Sequence, residues 1–196
     1  MQNGQAWRMM ITGEKKMAFK LLDPVLWANI KSQVDGDFGI GVTKELVGDL
    51  VPISLEKESV MSIYLSSMDW IGIIEQGLGS YELYSLGSFF GEIAKGKFKL
   101  SVSVLNQIVP LTNSQIVISG KGAGPFTYGK SILKESVIEA REDLKKGQRI
   151  IVLNENHDCL GLATMTTDGY TVGKMRPDDL VAKNRADIGL YIRRFF

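Results

Sequence analysis

The chain has 196 residues, 44% of them hydrophobic and 23% charged, with a formal net charge of +1. That is room for one large domain or two small ones, in the ordinary composition of a soluble globular protein, and it excludes a global field drawing the chain onto nucleic acid or membrane. A single cysteine, Cys159, excludes an internal disulfide and fits a reducing compartment.

No apolar run approaches the roughly 18–20 residues of a membrane helix. Glu14, Lys15 and Lys16 interrupt the N-terminal stretch, which does not read as a signal peptide. A cytoplasmic protein with no membrane partner is expected.

Asp23-Pro24 opens a helix, with Asp as cap and Pro at the first helical position. Val25, Leu26, Trp27, Ile30 and Val34 recur at helical spacing until Asp35-Gly36-Asp37. Residues 41–50 suggest a second short helix, 59–67 a strand and 68–79 a helix ending at glycine. Residues 81–95 and 97–105 flank a turn at Gly96 as a hairpin. In its second arm Phe98, Leu100, Val102 and Val104 alternate with Lys97, Lys99, Ser101 and Ser103, the pattern of a half-buried antiparallel strand.

Pro110 and the polar stretch 111–114 mark a domain boundary, giving domains 1–110 and 111–196. Beyond it, 114–119 reads as a strand followed by a Gly-rich turn, and 131–144 as largely helical. Residues 149–154 and 159–166 read as strands, 171–175 starts a further element, and 186–194 closes the chain as a strand. In that last segment Ile188, Leu190 and Ile192 are expected to face a core, each worth about 1.5–3 kcal/mol on burial. The fold class is α+β: an N-terminal α/β domain with an antiparallel sheet, then a mostly β domain.

Residues 124–131, GPFTYGKS, fit the phosphate-binding pattern G-x-x-x-x-G-K-[ST] at Gly124, Gly129, Lys130 and Ser131. Pro125, Phe126 and Tyr128 are bulky or rigid where such a loop needs small residues and free N–H groups. The strand at 150–153 ends in Asn154-Glu155, without the aspartate that holds Mg²⁺. A plain turn at Gly129, with Phe126 and Tyr128 alternating along a strand, accounts for the match better. His157 and Cys159 lack a second His or Cys, so no zinc or other metal is expected. Asp178-Asp179 after Pro177 reads as a turn or cap, and a single histidine supports no catalytic triad. No cofactor and no enzymatic activity are expected.

Charge is uneven: 10 basic against 12 acidic residues over 1–110, but 13 against 10 over 111–196. The last quarter is therefore the anion-facing candidate.

Phe126, Tyr128, Gly129, Ile132, Leu133 and Lys134, then Leu160-Gly161, then Asp187, Ile188, Gly189, Tyr191 and Arg193 together resemble the signature of the PUA domain, a small RNA-binding pseudobarrel. Upstream, residues 84–111 are similar to the segment before the PUA domain in the Nip-seven ribosome-biogenesis family, here of archaeal type. The resemblance covers about residues 81–196. It implies a C-terminal PUA-like β pseudobarrel and a non-catalytic factor in large-subunit ribosomal RNA maturation. It also implies RNA, such as U-rich single strands, and other assembly proteins as partners, the latter met through the N-terminal domain. A monomer is expected, and the resemblance implies a nucleolar location if the source is a eukaryote.

The resemblance places the RNA-facing surface at Lys174, Arg176, Lys183 and Arg185, then at Lys130 and Lys134, then at Arg193 and Arg194. Asp178 and Asp179 fall inside this patch. Lys95, Lys97 and Lys99 could extend an RNA track but suit a lysine-protected strand edge better. Two other functions stay open: a nucleotide-binding enzyme using 124–131, and an adaptor whose barrel binds only protein.

Overall fold

The computed structural model describes residues 19–70 and 86–189. The first sheet is fully antiparallel, with strands in chain order: β1 (Phe19–Leu21), β2 (Val51–Lys57), β3 (Val60–Ser66), β4 (Ser88–Ala94) and β5 (Lys97–Leu100). Helices α1 (Pro24–Phe38) and α2 (Val42–Val47) connect β1 to β2. The Leu26 N–H donates to Asp23 Oδ1 at 2.8 Å, the expected cap.

Helix α1 runs through Asp35-Gly36-Asp37 and stops only at Gly39. The two aspartates do not compete with the helix backbone because tertiary partners engage them. Asp35 Oδ1 accepts from the Thr43 N–H and hydroxyl at 2.8 and 2.6 Å, and Asp37 pairs with Arg149 at 2.9 Å. The extra turn buries Phe38 beside Ile30 and Val34. Strand β2 carries no clear sequence signal, since Pro52 and three charged or hydroxyl residues obscure its period.

The β4–β5 hairpin turns at Lys95 and Gly96, both at positive φ (51° and 71°), the backbone of a tight two-residue hairpin. The expected strand over 97–105 ends at Leu100. Residues Val102–Ile108 form helix α3, which buries Val102, Leu105 and Ile108 at helical spacing, together with Val104. The Val-Ser-Val alternation was thus compatible with either period. Of the helix expected over 68–79, residues 68–70 are helical, and the rest lies outside the described residues.

The second sheet has six strands in the order β7-β11-β10-β9-β6-β8: β6 (Gln115–Ile118), β7 (Ile132–Leu133), β8 (Val137–Ala140), β9 (Arg149–Leu153), β10 (Cys159–Met165) and β11 (Leu180–Asp187). Pairing is antiparallel except for β6 with β9. The sheet curls into a nearly closed barrel around Ile116, Ile118, Phe126, Ile150, Val152 and Val181.

Three expectations in this half are corrected. The Gly-rich turn and strand over 120–128 is helix α4 (Gly120–Thr127). Gly122 lets it lie against residue 136: a Cβ there would sit 2.4 Å from Ser136 Cβ. Residues 131–144 are not helical but form β7, a 3-10 turn (Lys134–Ser136) and β8, because Ile132 and Val137 complete the barrel wall. The last described strand lies at 180–187, so of the strand expected over 186–194 only Ala186 and Asp187 are in a strand among the described residues. Ile188 is 37% exposed and does not fill the core, while Leu190 and Ile192 lie outside the described residues. The element starting near 171 is a single helical turn, α5 (Gly169–Val172).

Strand β9 is buried on both faces. Ile150 and Val152 point into the barrel, and Ile151 and Leu153 pack into one cluster with Ile30, Val34 and Phe38 of α1. A continuous apolar run is what such a strand requires. Among the described residues no helix is long and apolar enough to cross a membrane.

Candidate nucleic-acid interface

The edge of the barrel is built from the exit of α4, β7 and β11. Helix α4 ends at Thr127, and Gly129 (φ 84°) reverses the chain so that the Lys130 N–H donates to Pro125 O at 3.0 Å. Asn184 on β11 pins this exit: its Nδ2 donates to Phe126 O at 2.8 Å and to Lys130 O at 3.5 Å. Phe126 is buried, whereas Tyr128 stands 75% exposed. They do not alternate along a strand. One belongs to a helix face and the other to its exit turn.

Ile132 pairs with Ala182 and Leu133 with Leu180. Beyond β7, the Lys134 N–H donates to Asp179 O and the Glu135 N–H to Pro177 O, both at 2.9 Å. These bonds lay residues 130–135 alongside 177–184. Lys130 and Lys134 therefore share an edge with the loop that carries Lys174 and Arg176. Lys183 and Arg185 are both exposed on β11: Lys183 pairs with Thr164, and Arg185 is left unpaired at the β10–β11 register shift. Arg185 Nε donates to Thr164 Oγ1 on the neighbouring strand at 2.9 Å, which holds its guanidinium along the sheet. Arg193 and Arg194 lie outside the described residues.

One member of the patch is compromised. Arg176 donates through Nε and Nη2 to Asp179 Oδ1 at 3.3 and 3.0 Å, and Asp178 lies 4.0 Å from its Nε. Hydrogen bonds from Arg176 hold the Asp179 carboxyl below the usual carboxylate range. Lys130, Lys134, Lys174 and Lys183 form no side-chain ion pair with another described residue. In the first sheet Lys99 pairs with Glu92 at 3.6 Å, Lys95 lies in the hairpin turn and Lys97 directly follows it.

The residues missed in the sequence are the exposed aromatics Tyr128 and Tyr170 and the organising side chains Asn184 and Thr164. The Tyr-Gly pair was a signal for Tyr128, since a glycine at positive φ after a helix puts the preceding side chain at the outer rim.

The phosphate-loop arrangement is not formed. GPFTYGKS covers the second half of α4 and its exit, so Lys130 sits beyond the C-terminal end of the helix. Carbonyls and the negative end of the helix dipole gather there, opposite to what a phosphate needs. The N-terminal end of α4 is occupied instead by Glu155, whose Oε1 accepts from the Gly120 N–H at 2.8 Å. Cys159 is buried, and desolvation pushes its thiol up to about 11, away from reactivity.

A small curled sheet of this strand order, with a helix tucked after its first strand, is a PUA-type pseudobarrel. Residues 114–196 match the family described as UPF0113 PUA domain. The 60S ribosome subunit biogenesis protein NIP7 of Saccharomyces cerevisiae is 28% identical over 187 residues, covering 95% of this chain and 96% of that protein. Its Schizosaccharomyces pombe counterpart is 30% identical over 112 residues, 57% of this chain and 62% of the relative, so that match spans under two thirds of the relative's length.

Two archaeal structures share the fold. A hypothetical protein of Pyrococcus horikoshii aligns with a TM-score of 0.62 at 12% identity, covering 86% of this chain and 93% of the other. A conserved PUA domain protein of Thermoplasma acidophilum aligns with a TM-score of 0.58 at 13% identity, covering 91% and 99%. The family match covers residues 114–196, and the similarity to the Saccharomyces cerevisiae NIP7 protein runs over 95% of the chain.

Proposed function

We propose that this chain is a non-catalytic RNA-binding factor of large-subunit ribosome biogenesis that holds single-stranded, U-rich RNA along the β7–β11 edge of its barrel. The observation that supports the reading is the backbone pairing of 130–135 with 177–184, which brings the segment of Lys130 and Lys134, with the exposed Tyr128 just before it, alongside the strand of Lys183 and the loop that follows Lys174. Lysines along a groove neutralise phosphates and release counterions, and an exposed ring stacks on an unpaired base. Arg185 contributes from the flank, and Arg193 is proposed to extend the set. The relatives' role in 60S subunit biogenesis supports the same reading.

The division into an N-terminal domain (1–110) that meets other assembly proteins and a PUA domain (111–196) that meets RNA is part of the proposal, as are a monomeric state and a cytoplasmic or nucleolar location.

The test is a filter-binding series with the full chain against single-stranded U-rich RNA over a range of salt. Lys130→Glu, Lys174→Glu and Lys183→Glu together are expected to abolish binding and leave the thermal midpoint unchanged. Arg176 is not among the targets because Asp179 already engages its charge. Unaltered affinity and salt slope in the triple variant would sink the RNA surface and favour the protein-only adaptor.

A further inference from the structure

A cavity of about 220 Å³ opens beside the basic edge, between β8, α5 and the segment joining β8 to β9. Its apolar wall is Val172 and Ala140, and its lips are Tyr170 and Ile138, exposed by 53% and 50%. The lining carries one cation and one anion, Lys134 and Glu142. Neither side chain makes a hydrogen bond or ion pair with another described residue.

The cavity is preformed. The Gly169 N–H donates to Leu144 O at 2.8 Å, and a Cβ on Gly169 would lie 1.9 Å from Arg141 O, so α5 is seated hard against the 141–144 segment. The Lys146 N–H donates to Asp168 Oδ1 at 2.8 Å and locks the same junction.

We infer that this cavity is a subsite for one unpaired nucleobase bearing a ring carbonyl next to a ring N–H, the edge that uracil and guanine share. The inference rests on the RNA-binding reading. The volume is below the range typical for drug-sized ligands and suits a single planar heterocycle. Tyr170 supplies a stacking face and Ile138 an aliphatic cover. Lys134 donates to the base carbonyl, and the Glu142 carboxylate accepts from the adjoining N–H; cytosine and adenine offer an amino group and a bare ring nitrogen instead.

Position supports the same occupant. Lys134 belongs both to the cavity and to the proposed phosphate track, and Lys174 follows directly on Gly173, another residue of the lining. A strand lying along the track therefore passes the cavity.

The test uses the full chain and labelled RNA strands carrying one base in an otherwise abasic backbone, with uracil, guanine, cytosine or adenine in turn. Uracil and guanine strands are expected to bind about fivefold tighter than the other two, and their comparison shows which the cavity prefers. Tyr170→Ala is expected to lose about tenfold on the favoured strands while Tyr170→Phe keeps affinity, and Glu142→Gln to erase the preference without loss of thermal stability. Equal binding of all four strands, or a preference for cytosine or adenine, overturns the inference. Indifference to Tyr170→Ala overturns it too. If the lysine triple variant still abolishes binding in those cases, the RNA-binding function stands without this subsite. A wild-type chain that binds no strand, and no U-rich RNA, overturns both.

Discussion

Arg176 and Asp179 form a closed pair three residues apart. The Arg176 backbone N–H donates to one carboxylate oxygen at 2.8 Å, while its Nε and Nη2 donate to the other at 3.3 and 3.0 Å. The pair fixes the loop that hands the chain into β11, and it also cancels a cation at the centre of the proposed RNA edge. Arg176 is exposed and Asp179 half-buried at the surface, so the pair contributes little to stability and mainly shapes local charge.

Asp179→Asn should therefore strengthen RNA binding. The backbone bond from the Lys134 N–H to Asp179 O survives the change, so the edge keeps its shape. The expected result is a two- to fivefold gain in affinity (order of magnitude) and a steeper salt dependence, by up to about one further released counterion. Filter binding of U-rich RNA across several salt concentrations reads both quantities. An unchanged slope would mean that Arg176 does not face the RNA.

A second ion pair ties the two halves together. Arg149 on β9 reaches Asp37 at the end of α1 at 2.9 Å, with side-chain exposures of 38% and 23%. Burial raises the Asp37 carboxyl above its usual range, and the attraction of Arg149 only partly offsets this. A carboxyl raised in the folded state favours folding most when protonated, and that advantage is lost as pH rises through the folded value. Arg149→Leu leaves the carboxylate uncompensated at neutral pH, at an expected cost of about 1–2 kcal/mol, less than for a fully buried pair. The penalty should shrink below the ordinary carboxylate range, where Asp37 is neutral. Urea unfolding at neutral and acid pH measures it, and adding Asp37→Asn should restore most of the loss at neutral pH.

Gly161 is a third point of leverage. It sits at φ 149° in the β10 irregularity, and a Cβ there would lie 2.2 Å from Ala186 O on the paired strand. Both the backbone angle and the contact oppose any side chain. Gly161→Ala should cost about 2–3 kcal/mol, read as a lower thermal midpoint. Because the clash is with β11, RNA affinity should fall with it even at temperatures where the chain remains folded.

What could be read from the sequence depended on whether local pattern and tertiary context agreed. The α1 cap, β3, the turn at Gly96, β6, β9 and β10 were legible because apolar spacing, caps and glycines all pointed one way. Residues 101–105 were not, since Val102 and Val104 fit a strand while Leu105 and Ile108 complete a helical stripe. Residues 120–140 were misassigned because barrel closure demands a helix at the glycines and two short strands just beyond, against local propensity. For the site, residue type and family pattern pointed to the lysines. The neutralisation of Arg176 and the rim position of Tyr128 depend on the loop's three-dimensional path, which no spacing encodes.

The burial of β9 on both faces bears on how independent the proposed domains are. Ile151, fully buried, packs with Ile30, Val34 and Phe38, while its neighbours Ile150 and Val152 fill the barrel. Ile151→Ala should cost about 2–5 kcal/mol. If the shared cluster couples the halves, the loss appears as one earlier transition, identical by far-ultraviolet dichroism and by fluorescence. Trp27, edge-on to Phe90 at 5.6 Å, reports on the first sheet and α1, although the cavity lies across the cluster on β9. Two separated transitions, with Trp27 melting at its wild-type midpoint and the barrel earlier, would show that the halves unfold as separate units despite their common core.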